Sequence, residues 1–89
     1  MTYGTDSIAS RILWCQQQKT MARTAGEVEG WSAEEAGLRD ALLSRDYRRH
    51  YQYSPADVLE RYVMGLQDGL TLIRAAIVEH HYATSGELR

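Results

Sequence analysis

The chain has 89 residues, a formal charge of -2, one cysteine and one proline, with a pI near 5.9. That length accommodates one domain with a modest core, and the acidic balance excludes a general electrostatic pull toward nucleic acid or anionic lipid. The lone Cys15 excludes an intramolecular disulfide and fits a reducing compartment, so the cytoplasm is the expected location.

Met1 to Ser10 lacks a basic stretch followed by an apolar one, and the longest apolar segment is interrupted by Asp68 and Arg74. These features predict neither a signal peptide nor a membrane span. With few β-branched runs and few turn signals, the sequence reads as all-α. The expected architecture is a single helical domain over residues 1–89, a small three-helix hairpin or bundle with a long C-terminal core helix.

The first helix is predicted over residues 6–25, capped by Thr5 or Asp6. Ile8, Ile12 and Cys15 form its inward stripe, widened by Ala9 and Leu13. Gly26 to Gly30 holds two glycines and two glutamates and reads as a connection. Ser32-Ala33-Glu34-Glu35 matches a capping box and starts a second helix over 33–50, with Leu38, Ala41 and Leu42 turned inward.

The third helix is predicted over 55–80, from Ser54 as N-cap, Pro55 at the first helical position and a Tyr53–Val58 staple. Leu59, Val63, Leu66, Leu70, Ile73 and Ile77 recur at alternating steps of four and three, a heptad seam that marks the core helix. A competing reading ends this helix at Gly69. Ala83 to Arg89 reads as a frayed tail.

Two surfaces stand out as protein-docking candidates. Gly65 and Gly69 each cost about 1 kcal/mol in a helix interior, and with Tyr62 they form a second strip beside the seam that another backbone could approach, from the same chain or another. Trp14 and Met21 lie two turns apart, away from the inward stripe of the first helix, and are residue types enriched at interfaces. The expected partner is a protein, either a second copy or a larger chain, and the expected function is that of a non-catalytic small regulator or inhibitor.

The alternative is a small DNA- or RNA-binding regulator that uses Arg45, Arg48, Arg49 and Tyr51 for phosphate contact and base stacking. Against it, Gly26 to Asp46 carries six acids and two arginines, which repel a polyanion. His50, His80, His81 and Cys15 have no metal-ligand spacing, and no nucleophile, base and orienting acid are linked by spacing. Neither metal, cofactor nor catalytic chemistry is expected.

Overall fold

A computed structural model describes the backbone of residues 7–87 and the side chains of 7–78. Among the described residues the fold is all-helical: α1 spans Ile8–Met21, α2 Ala25–Leu42 and α3 Ala56–Glu87, with a 3-10 turn at Arg48–Tyr51 before α3. Helices α2 and α3 pack closely.

The first helix begins at Ile8 with Ser7 as its cap. Ser7 Oγ accepts from the Ser10 amide at 3.1 Å; Thr5 and Asp6 lie outside the described residues. Ile8, Ile12 and Cys15 turn inward as expected, but Ala9 and Leu13 are exposed. The helix ends at Met21 rather than Ala25, because Thr24 and Glu27 form a capping box that starts the next one: Thr24 Oγ1 accepts from the Glu27 amide, and the Glu27 carboxylate accepts from the Thr24 amide.

Gly26 to Gly30 is therefore helical and not a connection. Ser32-Ala33-Glu34-Glu35, expected to open a helix, lies in the middle of α2, with Glu34 drawn into contacts with α1 and α3 and Glu35 into contacts with α1. The far end of α2 closes without glycine. Ser44 takes φ 54°, and the amides of Arg45 and Ser44 return to the carbonyls of Asp40 and Ala41, the paired bonds of a Schellman motif. The second helix thus stops at Leu42 instead of residue 50, and Leu42 is 52% exposed rather than inward.

The start of α3 lies where expected to within a residue, but by other means. The Pro55 carbonyl accepts from the Leu59 amide at 3.2 Å, and the Ser54 amide is held by the Tyr51 carbonyl. Tyr53 is 93% exposed, so it makes no staple with the buried Val58. The helix passes through Gly65 and Gly69 without a break and runs beyond residue 80 to Glu87, so 83–87 is helical backbone rather than a frayed end. The last two residues lie outside the described part.

A three-residue link makes α1 and α2 an antiparallel pair, whereas α2 and α3 run parallel. Gly30 faces Arg61, Glu34 faces Gly65 and Ala41 faces Gly69. The segment 43–55 returns the chain to the beginning of the pair. Glycines set the spacing: a Cβ on Gly65 would strike the Glu34 carbonyl, and one on Gly37 would lie 2.6 Å from the Leu66 nitrogen. Ala33, Ala41, Val58, Tyr62 and Leu66 fill the core around this contact.

Charge is built into the same core. Glu34, 2% exposed, draws Arg11 of α1 at 3.4 Å and Arg61 of α3 at 3.1 Å. The Arg61 N–H does not point at the carboxylate, so this contact is attraction without a hydrogen bond. Glu35 is raised by burial but held below the usual carboxylate range by Lys19, Arg39 and Gln16.

Cys15 Sγ donates to Glu34 at 3.6 Å. Burial first, and the Glu34 charge second, push the thiol up to about 12. Iodoacetamide should therefore leave the native chain unlabelled and alkylate Cys15 only as urea opens the fold, because the thiolate is the reactive species. Mass spectrometry along a urea series checks this; native labelling as fast as that of the unfolded chain would show the thiol to be free.

Candidate docking surface

Helix α3 buries one line of residues and leaves another open. Val58, Tyr62, Gly65, Leu66 and Gly69 are buried against the rest of the chain. The heptad seam, expected to be the core stripe, sits to one side of that line. Only its Leu66 is buried; Leu59, Val63 and Ile73 are half-buried, while Leu70 is 39% and Ile77 62% exposed. Helical geometry explains the exchange of roles. The buried line and the outer seam are set roughly a quarter turn apart at about 100° per residue, and the glycines let α2 approach more closely than a row of leucines would allow.

Tyr62, Gly65 and Gly69 therefore do not form a docking face, as one sequence reading had them. A Cβ on Gly69 would lie 2.6 Å from Ala41 Cβ and 3.2 Å from Ile8 Cδ1, so this strip is closed by α1 and α2. Tyr62 is 0% exposed, stacked on Tyr51 at 4.6 Å.

Past residue 73 the seam has little company. Residues 74–78 are all exposed, and the helical backbone continues to Glu87. Helix α3 measures about 48 Å at 1.5 Å per residue against about 27 Å for α2, which accounts for the overhang. The exposed Leu42 and Leu43 at the end of α2 belong to the same end of the molecule, since Ala41 faces Gly69.

Trp14 and Met21 are on the surface, 41% and 67% exposed. Trp14 meets Trp31 of α2 edge-on at 5.0 Å, and Arg61 lies over the Trp31 ring at 3.9 Å. The second helix thus braces one edge of Trp14, the Arg11 guanidinium lies over the ring at 5.4 Å, and the remainder is exposed. Ser10, Arg11, Leu13, Trp14 and Gln17 line a shallow depression there. Leu13, 56% exposed, was not among the expected site residues, nor were Leu70 and Ile77. The heptad spacing held the signal for the last two, but it was assigned to the core.

The basic and aromatic cluster is mostly occupied with itself. Arg45 pairs with Asp40 at 3.3 Å and lies over Tyr47. Arg48 grips both oxygens of Asp46 at 3.1 and 3.0 Å. His50 stacks on Tyr47 and Tyr51 on Tyr62, which leaves Arg49 as the cluster's cation without an ion partner among the described residues. Two of the three arginines would have to abandon a carboxylate to reach a phosphate.

Among the described residues no three histidine, cysteine, aspartate or glutamate side chains gather as metal ligands. No helix among them is long and apolar enough to cross a membrane. Comparison with protein-family models, curated proteins and solved structures finds no match for this chain.

Proposed function

We propose that this protein acts without catalysis, as a small regulator or inhibitor that docks on itself or on a larger protein through apolar helical surface. The reading rests on the α3 seam. Leu70 and Ile77 stand exposed on a helix that outruns the element it packs against, and an apolar seam kept at heptad spacing is the surface a second helix recognises. Trp14, Leu13 and Met21 offer a smaller second patch. The cytoplasm is the proposed location, where Cys15 stays a thiol.

The test is a pair of surface variants carried through binding and melting. Leu70→Glu with Ile77→Glu should leave the helical circular dichroism spectrum close to wild type, because both side chains are exposed in the single chain, and should remove association with protein partners together with whatever melting temperature that association adds. Trp14→Ala with Met21→Ala reports on the smaller patch. If the seam variant retains every association of the wild type, the seam is not a docking surface and the reading fails.

A further inference from the structure

Resting on that docking reading, we propose that the α3 seam is covered by a second copy of this chain lying antiparallel to the first. Heptad lettering places Val63, Leu70 and Ile77 at a, and Leu59, Leu66 and Ile73 at d. In an antiparallel two-helix pair, a residues of one helix meet d residues of the other. When Leu66 is set against Leu70 of the second copy, Val63 meets Ile73 and Leu59 meets Ile77. All three pairs share one midpoint, residue 68, so each exposed seam residue has an apolar opposite number: Ile77 meets the half-buried Leu59, and Leu70 meets the edge of Leu66, which its own chain already covers. A self-complementary patch of this kind is what a twofold dimer requires.

The flanking residues choose the same partner and direction. The outer flank, at e, carries Glu60, Gln67 and Arg74, all exposed. In the antiparallel pair e faces e, so Glu60 meets Arg74 of the second copy at both ends and Gln67 meets its own copy at the centre. Neither Glu60 nor Arg74 has an ion partner among the described residues. The inner flank, at g, is Tyr62, Gly69 and Ala76, uncharged, with its first two members buried against α2. A parallel pair would set the charged flank against this one and find no opposite charge there.

The chain already covers the inner edge of the seam. Leu66 is buried, and Val63 and Ile73 touch the core. The second copy therefore packs on the outer edges and on the fully presented Leu70 and Ile77. Helix α2 lies about a quarter turn away around α3, so it does not stand between the two seams; with its counterpart it would lie along one side of the joined α3 pair.

Sedimentation equilibrium on the full chain tests this with Glu60→Arg and Arg74→Glu, both at exposed sites. Wild type should dimerise. Each single variant sets like charges together at both ends and should weaken self-association by about tenfold or more. An equimolar mixture of the two variants should recover dimers, since opposite charges again meet at both ends of the mixed pair. A wild-type dimer indifferent to both changes, or a mixture that fails to recover, overturns the antiparallel pairing. If wild type stays monomeric at millimolar concentration while Leu70→Glu still abolishes capture of a different protein, the second copy is wrong and the docking reading survives. If wild type is monomeric and the seam variant alters no association, both are wrong.

Discussion

Gly65→Ala is expected to cost about 2–4 kcal/mol of stability, although alanine is the better helix former by about 1 kcal/mol. The added methyl group would meet the carbonyl of Glu34, whose carbon lies 2.9 Å from the Cβ position. That obstacle is backbone in a helix and cannot turn aside as a side-chain tip can. Helices α2 and α3 must separate, loosening the contacts of Tyr62 and Leu66 on either side. At roughly 4–8 °C per kcal/mol for a domain of this size, the melting temperature should fall by about 8 °C or more. Gly26→Ala supplies the contrast: nothing but Thr24 Oγ1, at 3.9 Å, lies near its Cβ position, so there the propensity gain should appear as a small rise. Equal effects at the two sites would show that the helices are not in backbone contact at Gly65.

Tyr62→Phe should lower stability by about 2–3 kcal/mol. The hydroxyl donates to Asp40 Oδ2 at 2.6 Å and accepts from the Tyr47 amide at 2.8 Å, fastening the return segment to both long helices. Its removal leaves Asp40, 7% exposed, with Arg45 as its partner and the Tyr47 amide without its acceptor. The effect has a pH signature. Burial, and next the hydrogen bond to Asp40, push the hydroxyl from 10.0 up to about 12. A folded value above the unfolded one gives stabilisation that is complete below pH 10 and lost as pH rises toward 12. The gap in urea midpoint between wild type and Tyr62→Phe should therefore narrow over that interval. A constant gap would mean that the hydroxyl does not titrate with folding.

The helices were legible in the sequence, but their ends and their inward faces were less so. Thr24-Ala25-Gly26-Glu27 and Ser32-Ala33-Glu34-Glu35 carry the same capping pattern, and local spacing alone cannot rank them. What decides is tertiary: Glu34 and Glu35 are needed by Arg11, Arg61, Lys19 and Arg39, partners distant in sequence apart from Arg39. The end of α2 was hidden because Ser44 takes the left-handed place that glycine normally marks. In α3 the heptad spacing predicts a helix, and a helix forms, but the stripe it marks as core is the more exposed one. Leucine and isoleucine mark the stripe with the larger apolar area, whereas glycine and alanine mark the one another backbone can approach. The Trp14 patch was visible as an apolar pair on the outer face of α1; its bracing by Trp31 depends on Gly26–Gly30 being helix, which the glycines concealed.

The two tryptophans of the chain meet each other at the α1–α2 contact, while the cation resting on Trp31 comes from α3. Intrinsic fluorescence is therefore a local gauge. It follows closure of the α1–α2 hairpin, whose pairing is near in sequence and can form early, and the Arg61 guanidinium over Trp31 links it to the third helix. Arg61→Leu would remove that link, so emission would then follow the hairpin while far-ultraviolet dichroism, dominated by α3, followed the longest helix. Divergence between the two signals during refolding would measure how far the hairpin closes ahead of the helix that completes the bundle.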